Sequence, residues 1–358
     1  VRGGGRPAIG WPSRASWLIC FAVNTPQSPL VFGRSLVDAH NRRDFLKRSA
    51  LLPLCATFGA GLFAADARAV TPAAQHKRKF GSKLKLSLNA FSFNELLRNH
   101  AEGKTPGMSL FELLEYCAEH DIEALDATGY YFPGYPAIPS DAFINDFKRR
   151  AFQLGIDISG TGIRNDFAVP DAAKRAFDVE LSKAWIEVAA KMGAPVIRLF
   201  AGIVPKGYED KWQEPAQWVI ECLQACAEHG KKFGVLIGVQ NHGDMLRNAE
   251  QTLYVLKRVA SDWVGVIVDT GNMMTPDPYK DIAEVAPYAV NWQIKESAHG
   301  NKSAVLTDLP KLMRIIKDSG YRGYIPIETL VGTSVAQGKP YEPYTRVAEF
   351  AAAVRAAM

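Results

Sequence analysis

Residues 235–244 read V-L-I-G-V-Q-N-H-G-D. An unbroken apolar run meets two amides, an imidazole and a carboxylate. Short runs of this kind suit a strand covered on both faces, as in parallel sheets, with polar residues gathered where the strand ends. The same pattern recurs along the chain. Candidate strands are residues 84–93, 122–131, 156–163, 195–201, 235–241, 264–269, 289–294 and 325–329. Helical spacing of apolar residues fills the intervals at 110–118, 178–192, 215–233, 249–260 and 309–319, with Ser109 a ready N-cap for the first. Strand then helix, eight times over, is the count of a (β/α)8 TIM barrel. A doubly wound open sheet is the alternative. It would carry a glycine-rich phosphate loop after its first strand, and L-S-L-N-A-F at 86–91 has none. No linker interrupts residues 84–358, so they are expected to form a single domain.

The remainder of the chain reads differently. Residues 41–48 are N-R-R-D-F-L-K-R, followed by an apolar run and then A-R-A at 67–69. This resembles a twin-arginine export signal with a small-x-small cleavage site, which implies a periplasmic, already folded protein, often loaded with a metal or cofactor. A membrane anchor is the rival reading, but the run is short for a span and is broken by Pro53 and Gly59. Residues 1–40 read as a disordered leader or an over-extended start, and residues 70–83 as a linker.

The formal charge of +5 belongs to that leader. Residues 1–69 hold nine of the 42 basic and three of the 37 acidic residues, which leaves the rest near neutral. Nothing there favours nucleic acid. Cys117, Cys222 and Cys226 are an odd number and no disulfide framework; Cys222 and Cys226 sit one helical turn apart among apolar residues, as core thiols would.

In such a barrel the functional groups stand at the C-terminal ends of the strands. Strand 5 ends G-V-Q-N-H, strand 6 V-I-V-D-T-G-N, strand 7 N-W-Q-I-K-E and strand 8 I-P-I-E-T. Asp269 and Glu328 each follow an apolar run directly. Burying such charges is costly unless they are paired or bound to metal. Gln240 and Gln293 hold the matching positions on strands 5 and 7.

With these residues in place, residues 84–358 resemble the xylose isomerase-like barrels, a superfamily of sugar and sugar-phosphate isomerases and epimerases. Its pattern is similar to E-N-H-G, D-x-G-N, H-x-K-D and a final I-E; here Q-N-H-G begins at Gln240, D-T-G-N at Asp269, Q-I-K-E at Gln293 and I-E at Ile327. The resemblance implies a divalent metal held by Gln240, Asp269, Gln293 and Glu328. Two of the usual ligands, a glutamate and a histidine, are glutamine in this chain. An all-oxygen set with two charges suits Mn²⁺ or Mg²⁺ better than Zn²⁺; a degenerate site without metal is the alternative. The implied chemistry is proton abstraction next to a carbonyl through an enediolate, on a sugar or keto-sugar, with Glu328 as base. Epimerisation in such enzymes uses a second carboxylate at the Gln240 position, and an amide is no base. Single-base isomerisation, or elimination from a 3-keto-glycoside with His242 or Lys295 as acid, fits what remains. A catalytically silent sugar-binding barrel is the non-enzymatic reading.

Further candidates surround this set. His242 shares a strand face with Gln240. Lys295 shares one with Gln293 and either contacts substrate or pairs with Glu296. Arg198 is either an inward ligand-binding group or the partner of a buried acid such as Asp126. Asn241, Asn272, Arg164 and Tyr131 are expected to contact the sugar. The aromatic loop with Tyr130, Tyr131, Phe132 and Tyr135 reads as a sugar-stacking wall or as a homo-oligomer contact. Trp212 and Trp292 read as packing residues.

Overall fold

A computed structural model describes residues 80–358 apart from Asp244. The expected export signal, the leader before it and most of the linker lie outside the described residues. Eight parallel strands close on themselves in chain order. They are β1 (Lys83–Asn89), β2 (Ala124–Thr128), β3 (Asp157–Gly162), β4 (Val196–Phe200), β5 (Leu236–Gln240), β6 (Val264–Asp269), β7 (Ala289–Lys295) and β8 (Arg322–Glu328). Around them run α1 (Asn94–Ala101), α2 (Leu110–Glu119), α3 (Asp141–Leu154), α4 (Ala172–Met192), α5 (Gln213–Phe233), α6 (Ala249–Val259), α7 (Pro278–Val285), α8 (Leu309–Asp318), α9 (Val331–Ala336) and α10 (Pro343–Ala357). This is the (β/α)8 barrel expected from the alternation of patterns. Among the described residues no helix is long and apolar enough to cross a membrane.

The strands expected at 84–93 and 122–131 end early, because their last residues wind into 3₁₀ turns, Ala90–Phe93 and Gly129–Tyr131. In the first, the Asn89 side chain accepts from the Phe91 N–H at 2.9 Å, a local bond that competes with the ladder. Helix α4 starts six residues before the expected 178, since Asp171 caps it by accepting from Ala173 and Lys174. Helix α2 begins with a full capping box: Glu112 N–H donates to Ser109 Oγ at 3.2 Å, and Ser109 N–H donates to Glu112 at 2.7 Å.

The apolar core lies between barrel and helices, where Phe132, Phe147, Trp185 and Trp292 are fully buried. Cys117, Cys222 and Cys226 are buried free thiols, and burial pushes Cys222 and Cys226 up to about 11 and 12. They are core residues, as their spacing suggested. At the barrel's inner wall Gly238 is required by space: a Cβ there would stand 2.5 Å from Ile267 Cγ1. Register then fixes the site. Asp269 pairs with Gln293 across β6 and β7, and Lys295 with Glu328 across β7 and β8.

Candidate active site

Strand alternation sends Gln240, Asp269, Gln293, Lys295 and Glu328 into the C-terminal mouth of the barrel, and all five are buried. They form one connected network. The Gln240 amide nitrogen donates to Asp269 Oδ2 at 2.5 Å and to Gln293 Oε1. Lys295 Nζ stands 3.3 Å from Asp269 Oδ2 and hydrogen-bonds Glu328 Oε1. Gly271 N–H donates to the other Asp269 oxygen at 3.0 Å. Burial opposes the charge on Lys295, but Asp269 and Glu328 outweigh it and raise its pKa. The side chain is therefore an ammonium at neutral pH. The suggested pair between Lys295 and Glu296 does not form, because neighbours on a strand face opposite ways; Glu296 turns outward to Arg346.

Lys295 is also anchored through its backbone. Its N–H donates to Thr270 Oγ1 at 2.9 Å and its carbonyl accepts from Thr307 Oγ1 at 2.8 Å. Neither threonine was among the sequence candidates. Thr270 follows Asp269 directly, and that adjacency was the available signal.

Beside this network stands a second charged group. Arg198 on β4 is buried, its guanidinium lies 4.4 Å from the Phe200 ring centre, and it donates to the Tyr130 hydroxyl. Gly162 on β3 makes room for it, since a Cβ there would come within 2.7 Å of Arg198 Nε. That Nε is buried without a hydrogen-bond partner among the described residues. Burial holds Asp126 up at about 6, with Arg198 lowering it and Glu328 raising it. Arg198 thus serves Asp126 electrostatically and faces the mouth as well. Phe200, two residues on and on the same strand face, was missed at the sequence level although the alternation places it there.

The outer candidates divide. His242 lies at the rim with its ring 4.7 Å from that of Phe200; the pocket walls, Arg198 and Lys295 push its pKa down. At neutral pH it is an uncharged imidazole. Arg164 is exposed and stacks on Tyr130 at 4.6 Å, while Asn272 is half-buried in the turn after β6. Two further candidates are bonded to protein groups. Asn241 donates to the Asp269 carbonyl at 2.9 Å and accepts from the Asp269 N–H at 2.8 Å, so it clamps β5 to β6. Tyr131 is buried and donates to Asn94 Oδ1 at 2.9 Å, and Phe132 is in the core. The aromatic wall reduces to Tyr130 and Tyr135, the latter accepting from Arg164 N–H at 2.8 Å.

The four expected metal ligands do converge, but as a set they fit a divalent ion poorly. The family's three carboxylates with one lysine leave two negative charges for the ion to neutralise; Asp269, Glu328 and Lys295 leave one. Gln240 faces Asp269 with N–H groups, because both neighbours are acceptors and the reversed amide would set carbonyl against carboxylate. Among the described residues no three His, Cys, Asp or Glu side chains are placed to hold a metal ion.

A closed barrel with its charged residues gathered at the C-terminal mouth defines the class: a (β/α)8 barrel with its polar site at the strand ends. Within that class the chain belongs to the xylose isomerase-like TIM barrel family, whose model matches residues 114–351. Among solved structures it is similar to a D-psicose 3-epimerase from Clostridium cellulolyticum H10, with a TM-score of 0.61 at 16% identity over 76% of this chain and 99% of that one. It is also similar to a 3-keto-D-glucoside 4-epimerase from E. coli, with a TM-score of 0.59 at 13% identity over 76% and 99%. At such identities the likeness attests the fold alone. A 3′-dehydrocarminate deglycosidase alpha subunit from a Microbacterium species is 28% identical over 177 residues, 48% of this chain and 46% of that protein. The chain thus matches somewhat under half the length of that relative.

Proposed function

We propose that this protein is an exported enzyme acting on a sugar or keto-sugar by proton transfer next to a carbonyl. The observation that carries the reading is the convergence of Asp269, Lys295 and Glu328, from three successive strands, at one buried point of the barrel mouth. Glu328 has one oxygen on Lys295 and is the candidate base. When the α-carbon's C–H bond breaks, its proton goes to Glu328 and its electron pair passes to the carbonyl oxygen, giving an enediolate. Shift of the hydroxyl proton from one enediolate oxygen to the other, with return of the Glu328 proton to the former carbonyl carbon, isomerises the sugar. Arg198, Arg164 and His242 line the approach and offer hydrogen bonds to hydroxyl groups.

Elimination from a 3-keto-glycoside is the second reading, favoured by Gln240. Two-base epimerisation needs a carboxylate where that amide stands. Elimination needs one base, and an acid to protonate the departing oxygen. The name of the deglycosidase relative supports cleavage, and that of the 3-keto-glucoside epimerase supports only a keto-glycoside as substrate.

The test is incubation in D₂O with free sugars, 3-keto sugars and 3-keto-glycosides, followed by NMR. Deuterium at an α-carbon is expected with at least one keto substrate, and product analysis divides isomer from unsaturated sugar. No exchange with any of them would leave the barrel a binding protein and end the reading.

A further inference from the structure

We infer that the cation of this site is the Lys295 ammonium, and that the protein needs no divalent metal to polarise its substrate. What the ammonium does catalytically rests on the proton-transfer reading above; its replacement of a metal stands independently of it.

The charged groups of the network are already paired with one another. Starting from Gln293 Oε1, it runs through the Gln240 amide nitrogen to Asp269 Oδ2, through Lys295 Nζ to Glu328 Oε1. Acceptors and donors alternate at each step. A metal on the four oxygens must turn the Gln240 amide and displace the ammonium from both carboxylates. The Lys295 backbone is fixed by Thr270 and Thr307, and its ammonium is held by the two carboxylates. It also lies opposite Glu328 in register, so the pair is set by the sheet itself and not by a chance rotamer.

The glutamines have a use in this arrangement. Gln240 Oε1 is buried and has no hydrogen-bond partner among the described residues. A buried acceptor of this kind is satisfied by a donor that arrives with the ligand, such as a sugar hydroxyl. A substrate carbonyl entering beside Lys295 meets N–H donors that already bear positive charge, where negative charge develops on its oxygen. The balance of the step is simple: the C–H bond breaks, Glu328 takes the proton, and the oxygen that receives the electron pair is stabilised by a hydrogen bond from Nζ.

The experiment uses the full chain, stripped with chelator and titrated with MnCl₂ while free Mn²⁺ is followed by electron paramagnetic resonance and thermal unfolding is recorded. The wild type is expected to leave Mn²⁺ free and its melting temperature unmoved. The double variant Gln240→Glu, Gln293→His restores the lost charge and imidazole and is expected to bind about one ion per chain and to melt higher with it. If the double variant does not fold, Gln240→Glu alone is measured, with a smaller gain expected. Stoichiometric binding by the wild type below about 100 μM, or folded variants that bind no better than wild type, would overturn the inference. On the catalytic side, exchange by chelated wild type should persist, and Lys295→Met should lower it by about 10²-fold without rescue by Mn²⁺. Lys295→Arg, which keeps the charge, controls for loss of the fold. Absence of exchange in wild type would sink the proton-transfer reading and leave the metal arms to be judged separately.

Discussion

At the scale of single residues the site is decided by which buried charges have partners. Glu328 has Lys295, and replacing it by glutamine keeps the shape and a hydrogen-bond acceptor while removing the basic oxygen. Glu328→Gln is expected to fold with an unchanged circular dichroism spectrum and to lose at least about 10²-fold in exchange rate, the usual scale for a general base. Near-normal exchange would move the base elsewhere, Asp269 being the other carboxylate on Lys295. Asp126 makes a different claim. Burial raises its pKa from 3.8 to about 6, so the folded state binds a proton more tightly than the unfolded chain does. Stability from this group is full below the unfolded value and is lost as pH rises through the folded one. Asp126→Asn removes the effect. Between pH 4.5 and 7.5 the wild type should therefore lose about 2 kcal/mol relative to the variant, measured by denaturant unfolding. A difference that does not change with pH would show that Asp126 is ionised throughout by its neighbour Arg198.

At the scale of elements, apolar runs and their polar ends made the strands legible. Every strand expected from sequence is present, and Val264–Asp269 agrees at both ends. Helices with small faces were not. α10 is built on alanines and presents no sharp apolar stripe, whereas α3 buries Ile144, Phe147 and Ala151 at helical spacing, a stripe that was there to be read. The convergence of Gln240, Asp269, Gln293, Lys295 and Glu328 was legible for the same reason as the strands, since alternation alone sends them inward. The use made of each side chain was not. Asn241 sits in the same motif as Gln240, yet its amide closes on a backbone only folding brings near, and Tyr131 is carried inward by a 3₁₀ turn that reads as more strand. Two elements can be tested directly. Gly162→Ala would push a Cβ into the Arg198 guanidinium, so it should weaken sugar binding while the barrel persists, a change readable in KM more than in kcat. Ser109→Ala removes the α2 cap and should cost about 1 kcal/mol of unfolding free energy without touching the site. Together they separate a packing change that reaches the mouth from one that does not.

At the scale of the whole molecule, the barrel is unevenly stitched. β1 and β8 pair over six positions, from Lys83 opposite Arg322 to Leu88 opposite Ile327. β7 and β8 pair at only two, Ile294 with Ile327 and Lys295 with Glu328, and β3 and β4 at two, Thr161 with Ile197 and Gly162 with Arg198. Both short seams therefore run through residues of the candidate site. Where few ladder bonds hold a seam, opening it exposes little and costs less than global unfolding, so function and local opening are drawn to the same place. The Lys295–Glu328 ion pair bridges the β7–β8 seam and substitutes for missing ladder bonds. Hydrogen exchange followed by mass spectrometry should show peptides over 83–88 protected longest and those over 161–162 and 197–198 exchanging earlier. Lys295→Met should speed exchange at the end of β8 and leave the β5–β6 ladder, clamped by Asn241, as slow as before. Uniform protection around the barrel in both proteins would mean that the ion pair carries chemistry alone and no share of closing the cylinder.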